Sequence, residues 1–417
     1  LGEMMNFPGV SASDAKVHEE MKATRQAGKV IGGHYASLDL GLPFAGYAAG
    51  GPADDHEGTR LEDAVARVRQ GMRVMMRYGS AWHDVVTQVK AVTELGLDPR
   101  RFILCTDDSH SATLLCEGHM NRVVRHAVAQ GLNPITAIQM ATINAAEHFG
   151  VSSEMGMIAP GRYADILLVD DLVQFNIHLV IAQGKLAARD GELLITLPEV
   201  DYPGWALNSV HLHHALTQAD FALKTTKSSP AKVNVIGIIE NQAPTRHLVV
   251  EAPVKDGEIC ADMARDLAKI ALVERHRGTG VVQVGLVSGF GFDQPCAVAS
   301  TVAHDSHHML VVGTNDEDMA RAANALEACG GGQVVVRRGE VIGKVELRIA
   351  GLMSNEPAQT VADKAETVLN GFKACGSAIN NPNMTMSLLG LVVIPELRIS
   401  DRGLVNVNTF QIIPVVE

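Results

Sequence analysis

The stretch RFILCTDDSH, residues 101–110, constrains the fold more than any other. Phe102 to Cys105 is a short, unbroken apolar run, the pattern of a strand buried on both faces, and such strands belong to parallel sheets covered by helices. Folds of that class keep their chemistry at the carboxyl ends of the strands, and here the run stops on Asp107 and Asp108. Asp and Ser are also good helix N-caps, so Asp108 or Ser109 alone reads equally well as a cap. Asp107 acquires a further meaning only in company.

Strand-like and helix-like segments alternate around this run. GKVIGGH (28–34) is expected to be a strand and TRLEDAVARVRQGM (59–72) an amphipathic helix, capped by Thr59 with Glu62 three residues on. RVMMRYGS predicts another strand, AWHDVVTQVKAVTELG a helix, and RFILCT the next strand. Two helices follow, around HMNRVVRHAVAQG and NPITAIQMATINAAEHFG, the second with Pro134 in its first turn and Gly150 at its end. This βαβα order implies a parallel sheet or barrel. After Gly150 come short strands separated by Gly and Asp turns, with RDGE as a hairpin turn. From residue 206 a second α/β region is expected: strand KVNVIGIIE, helix ICADMARDLAKIALVERH, strand VVQVGLVSG, helix NDEDMARAANALEACGGG and strand QVVVRRGEVI.

Composition removes several function classes. At 417 residues, 47% hydrophobic and 20% charged, the chain has the length of two or three domains. A formal net charge of −12, with no Lys/Arg run and few aromatics, argues against a nucleic-acid groove. The six cysteines are scattered with no CxxC pair, the pattern of reduced thiols rather than a disulfide framework, so a cytoplasmic location is expected. No apolar stretch approaches the roughly 20 residues of a membrane span, and no signal peptide is recognised. SGFGFDQ and CGGGQ lack the Lys and the strand–helix setting of a phosphate loop and read as turns.

Four residues share a position, each ending a strand-like or Gly-rich run: Glu3 in LGEMMN, His34 in VIGGH, His56 in GPADDHEGT and Asp107 in LCTDD. Two imidazoles and two carboxylates suit a first-row metal, and strand ends can aim all four at one centre. The mix fits a binuclear site with a bridging carboxylate. A histidine taken singly is more often structural; the shared placement favours the metal reading. Glu57, directly after His56, and Asp108 are candidates for acid/base or base-recognition roles, with a surface or capping role as the plain alternative.

DHEGT, CTDD, MATINAAEHFG and GMIAPGRYADILLVDD together resemble the amidohydrolase superfamily, metal-dependent (β/α)8-barrel hydrolases with a small β-sandwich beside the barrel. LGEMMNFPGV and the tail STVAHDSHHMLVVGTNDEDM, followed later by IAGLMS, narrow the resemblance to the adenine deaminase branch, which carries an extra C-terminal domain. The resemblance covers nearly the whole chain, and it rests on the order and spacing of motifs that are individually weak. It implies an α/β protein made of the C-terminal portion of a barrel at 1–156, a small β-sandwich portion at 157–205 and an additional α/β domain at 206–417. It matches Glu3 to the bridging ligand, His34 and His56 to the ligands after the fifth and sixth strands, and Asp107 to the eighth-strand aspartate that also takes a proton from the attacking water. Two divalent cations are implied, manganese or iron with zinc as a third option, which lower the pKa of a bridging water toward about 7. The implied reaction is attack of the metal-activated hydroxide on C6 of adenine, protonation of the ring nitrogen and loss of ammonia, leaving hypoxanthine. A small-molecule substrate, no nucleic-acid or membrane partner, and a homodimer are the corresponding expectations.

The family pattern opens with a His-x-His pair at the end of the first strand, and nothing upstream of Glu3 offers one. His211 and His213 form such a pair outside the barrel order and read as an edge or linker. The expectation is a fragment lacking three early strands, the first ligand pair and part of the β unit, about 150 to 200 residues on the usual barrel length. In HDSHH (304–308), His307 and His308 would face opposite ways on a strand and cannot easily share an ion. His304, Asp305 and His307 are read as substrate-binding residues of a lid segment, with a structural turn as an equal alternative. An amidohydrolase acting on a cyclic amide and a non-catalytic scaffold stay open. The His-x-Glu and Pro-Cys-x-x-Cys pattern of cytidine deaminases is absent.

Overall fold

In the computed structural model, which describes residues 1–240 and 242–417, the run Phe102–Cys105 is a strand at the edge of a three-stranded parallel sheet. The chain divides into two units, Leu1–Glu199 and Val200–Glu417. In the first, strands β1 (Asp54–Asp55), β2 (Arg73–Arg77) and β3 (Phe102–Cys105) lie in the order β1-β2-β3, all parallel. Backbone bonds extend the array beyond β1: Ala53 N donates to Ile31 O at 2.8 Å and Met4 N to Gly32 O at 2.7 Å, with a parallel bridge between Met4 and Gly33. Five chain segments thus lie side by side; Glu3 stands one residue before its bridge at Met4, and His34, His56, Arg77 and Asp107 stand at or just beyond their paired residues.

The expected strand at 28–34 is reduced to that single bridge. Backbones approach closely there: a Cβ on Gly33 would lie 2.1 Å from Asp54 O, and one on Gly32 2.2 Å from Gly2 O. The helix after β1 runs Leu61–Arg69, and Asp63 rather than Glu62 closes its start, accepting from Thr59 N at 3.0 Å and Arg60 N at 2.9 Å. The segment expected as one helix at 81–96 is two short helices, Val85–Gln88 and Lys90–Thr93. That at 133–150 likewise breaks at Thr142 into Pro134–Ala141 and Ile143–His148. Helix Met120–Ala129 buries Val123, Val124 and Ala127 in one apolar core with Phe102 and Leu104 of β3, which gives that strand its helix-covered face. Strands β4 (Ile166–Val169), β5 (Ile177–Ala182), β6 (Lys185–Arg189) and β7 (Glu192–Leu193) follow as an antiparallel meander. Asp190 and Gly191, with φ of 50° and 85°, make the RDGE hairpin turn as expected.

The second unit contains β8 (Ala231–Ile238), β9 (Thr245–Ala252), a short hairpin of β10 (Val254–Lys255) and β11 (Glu258–Ile259), β12 (Leu267–Val273), β13 (Val282–Ser288), β14 (Cys296–Ser300), β15 (Met309–Gly313), β16 (Gly332–Arg337) and β17 (Glu340–Glu346). Eight of these form one sheet, ordered β17-β16-β14-β15-β12-β13-β8-β9. Its pairings among the described residues are antiparallel except that of β8 with β13. The expected helix at 259–276 is instead β12, held between β13 and β15. All seven of its residues are buried, with Ile270 and Leu272 in one core and Ala271 and Val273 in another, so the strand is apolar on both faces and shows no period of two. Lys269, the polar exception, donates to Phe221 O at 3.1 Å and to both oxygens of Asp316 at 2.8 Å. The helix expected over NDEDMARAANALEACGGG is present as Asp316–Cys329, capped by Asn315.

Candidate metal centre

The residues between the strands hold the strand ends in register. The Tyr47 hydroxyl accepts from His34 N at 2.7 Å and donates to Met4 O at 2.8 Å, tying the segments that carry His34 and Glu3. Asp54 accepts from Gly33 N at 3.0 Å and pairs with His148 Nε2 at 2.5 Å. Asp55, fully buried, accepts from Tyr35 N at 2.5 Å, Glu57 N at 2.9 Å and Arg67 Nε at 2.8 Å. On the other side, Tyr78 N donates to Cys105 O and Ser80 N to Asp108 O, both at 3.0 Å, so the turn after β2 supports the turn after β3. Asp107 itself sits at φ 58°, a left-handed backbone that Asp tolerates better than most residues.

This scaffold brings the four sequence-predicted ligands together. Glu3 Oε2 lies 3.0 Å from His34 Nδ1 and 3.0 Å from His56 Nε2. Donor atoms of Glu3, His34 and His56 lie within 4.8 Å of one another, as do those of His56, Glu57 and Asp107, so His56 belongs to both groups. Ligands at about 2.0–2.2 Å from a shared ion sit about 3 to 4 Å apart, and the spacing fits. His34 Nε2 is buried with no hydrogen-bond partner among the described residues, as a nitrogen kept for a ligand would be. Imidazole plus carboxylate is a donor set for a first-row divalent ion.

The charges are strongly coupled. Burial alone disfavours protonated His56, yet the hydrogen bond it donates to Glu3 and the charge of Glu57 overrule it and push the imidazole up to about 9. His34 is raised in the same way, burial being outweighed by the charge of Glu57 and the contact with Glu3. Burial works to raise the carboxyl of Glu3, but the two imidazoles hold it well below the usual carboxylate range. Burial likewise opposes ionised Glu57, and the charge of Arg77 with those of the two histidines keeps it ionised. Glu57 and Asp107 offer oxygens within 4.8 Å of each other. Two like charges at that separation repel by about 3 kcal/mol at an effective dielectric near 20.

Arg77, which the sequence reading missed, answers that repulsion. Its side chain is 1% exposed; Nη1 donates to Asp107 Oδ2 at 3.0 Å and to Glu57 Oε1, and Nε donates to Asp84 Oδ2 at 2.7 Å. Its guanidinium lies 4.8 Å from the ring centre of Trp82. The other predicted residues fare differently. Asp108 belongs to neither donor group; its N–H donates to Asp107 Oδ1 at 2.6 Å and so orients that carboxylate. His304, Asp305 and His307 lie in the second unit, in the turn between β14 and β15, where His307 Nδ1 accepts from Ala303 N at 3.1 Å. Burial and the neighbouring His304 lower His307 to about 4. His211 and His213 also lie in the second unit, His213 Nδ1 meeting Gly278 O at 3.2 Å, and neither joins a donor group among the described residues.

The chain is 58% identical over 416 residues to adenine deaminase 3 of Rhizobium meliloti (strain 1021), covering 100% of this chain and 70% of that one. The chain belongs to the adenine deaminase family. The adenine deaminase of Mesorhizobium japonicum is 58% identical, over 99% of this chain and 68% of its own length, and that of Moorella thermoacetica 50% identical, over 100% and 70%. The model of the adenine deaminase C-terminal domain matches residues 242–411, and that of the amidohydrolase family residues 58–187. The α/β fold is accordingly of amidohydrolase type, and the amidohydrolase match takes in Arg77 and Asp107. Among solved structures, a β-aspartyl dipeptidase of Fervidobacterium islandicum AW-1 is matched at a TM-score of 0.35, with 17% identity over 44% of this chain and 54% of that one, too low a score to argue from. No helix among the described residues is long and apolar enough to cross a membrane.

Proposed function

We propose that the protein hydrolyses adenine to hypoxanthine and ammonia. The observation that carries this reading is the 50–58% identity to adenine deaminases over essentially the whole chain. Convergence of Glu3, His34, His56, Glu57 and Asp107 supports it. Glu3, His34, His56 and Asp107 are the residues that would hold divalent metal. The metal, when bound, supplies Lewis acidity and a water acidic enough to be a nucleophile near neutral pH.

The chain's own residues supply the proton traffic. Adding water across the C6–N1 double bond and expelling the amino group moves two protons off the water oxygen, one to the ring nitrogen and one to the amino group that leaves as ammonia, so the site needs a base that takes protons and a group that passes them on. Asp107 takes the water's proton. Glu57, ionised at rest beside Arg77, begins as an acceptor and passes a proton only after receiving one. Asp108 orients Asp107, and His304, Asp305 and His307 are assigned to substrate binding on their residue types alone. Manganese or iron as the metal, a barrel portion at 1–156, a sandwich portion at 157–205, a separate domain at 206–417, a homodimer and a cytoplasmic location complete the reading.

The test is ammonia release by the metal-loaded whole protein from a panel of adenine, adenosine, cytosine and dihydroorotate. Turnover of adenine well above the others is expected. Preference for the cyclic amide overturns the reading in favour of another amidohydrolase, and absence of turnover at full metal content overturns it in favour of a scaffold.

A further inference from the structure

We propose that Arg77 is a positioning residue of the reaction: from the central strand of the parallel sheet, its guanidinium sets the spacing of Glu57 and Asp107. The inference rests on the adenine-hydrolysis reading for what those two carboxylates do. Its geometric basis is independent of that reading. Strand β2 lies between β1 and β3, Arg77 is its last residue, and Glu57 and Asp107 each stand two residues beyond the end of a flanking strand. A side chain from the middle strand is therefore the shortest route to both. Arg77 takes it with a single nitrogen, Nη1, which donates to both carboxylates, while Asp84 fixes the guanidinium by accepting from Nε at 2.7 Å.

Arg77 is not built to meet substrate. The residue is 1% exposed, Trp82 covers it, and Nη2 is buried without a hydrogen-bond partner. A buried guanidinium that leaves one donor unmet costs stability, so plain structural need explains it poorly. The feature retained at that cost is a fixed fork. A lysine at 77 keeps the charge but presents a compact ammonium on a flexible stem, and cannot reproduce the planar fork that engages Asp84 while bridging the other two.

The experiment uses Arg77→Lys and Asp84→Ala in the whole protein, with metal per chain, thermal midpoint, kcat and KM for adenine, and the visible spectrum of the cobalt(II)-loaded form. Arg77→Lys should lower kcat by ~100-fold or more, the scale of misplaced acid/base groups, with KM within about threefold. Metal per chain should stay at the wild-type value, and the cobalt spectrum should change because Asp107 has moved. Asp84→Ala, which frees Nε, should lower kcat by about tenfold in the same manner, and it decides the matter if the lysine variant does not fold. Wild-type kcat in either variant at full metal overturns the proposal, as does loss of metal in step with activity, which would make Arg77 a support of the metal site alone. If the unsubstituted protein turns over no adenine, the functional reading falls first, and an unchanged cobalt spectrum in Arg77→Lys then overturns this proposal separately.

Discussion

Metal affinity should rise steeply with pH, by an amount that His56 determines. In the metal-free protein its imidazole is pushed up to about 9 and that of His34 is also raised. An imidazole must lose its proton to bind a metal. At pH 7 the ion therefore displaces a proton held about two pH units above ambient, a cost of ~2.7 kcal/mol or ~100-fold in Kd from His56 alone. Because the pKa is raised rather than lowered, affinity increases by about tenfold per pH unit from 7 to near 9 and then levels, with His34 steepening the slope. An ordinary imidazole near 6.5 would give almost no change over that range. The same sign governs the fold without metal: the raised His56 contributes stability fully present below about pH 6.5 and lost as pH climbs through about 9. Manganese binding measured against a competing chelator between pH 6.5 and 9.5 gives the slope. Calorimetry in two buffers of different ionisation enthalpy counts the protons released, expected to be at least one per ion at pH 7. A Kd constant within about twofold from pH 7 to 9, with no proton release, would refute the coupling of these imidazoles to Glu3 and Glu57.

The remaining predictions separate roles within the site and test the scaffold. His34→Ala should lower bound metal and adenine turnover together, whereas Asp107→Asn should depress kcat by ~100-fold or more with a smaller loss of metal; near-normal turnover of the asparagine variant removes Asp107 from the chemistry. Gly33→Ala drives a methyl onto Asp54 O, 2.1 Å away, and should destabilise the first unit by about 1–3 kcal/mol, read as a lowered denaturant midpoint; an unchanged midpoint means the segment relaxes freely. Replacing His304, Asp305 and His307 together with Ala should raise KM for adenine without changing metal content, and wild-type kinetics would end their assignment to substrate binding.

Strands β2 and β3 were legible because each is a local pattern, whereas the two-residue β1 (Asp54–Asp55) went unforeseen and the strand expected at 28–34 is a single bridge. Phe102–Cys105 is apolar, bounded and buried on both faces, and it folds as read. Helix lengths were not, since the break at Thr142 leaves no Gly or Pro to mark it. The error at 259–276 has a different origin. LAKIALV, preceded by ICADMARD, offers apolar residues at helical spacing. Whether it coils or extends is decided by β13 and β15, which flank it only once the sheet has assembled. A central strand with a core on each face carries no alternation to betray it.

The convergence of the candidate ligands was legible for a reason that also explains why Arg77 was not. Glu3, His34, His56 and Asp107 are each marked by where they stand relative to a local apolar or Gly-rich run, so sequence position alone nominates them. Arg77 ends such a run too, in RVMMRYGS, but a lone arginine at a strand end reads as a solvated charge. Its partners stand 20 and 30 residues away, and nothing in one dimension says that their strands flank its own. A charge argument could have found it. A parallel sheet that brings Glu57 and Asp107 to the strand ends on either side of β2, with Asp84 on the same guanidinium, concentrates acid faster than two imidazoles can offset it. A metal ion answers part of that excess when it is bound. Folding in its absence requires a cation within the chain, on a strand that reaches both acids, and in the order β1-β2-β3 only the middle strand does. Arg77, the last residue of that strand, is where such a cation has to stand.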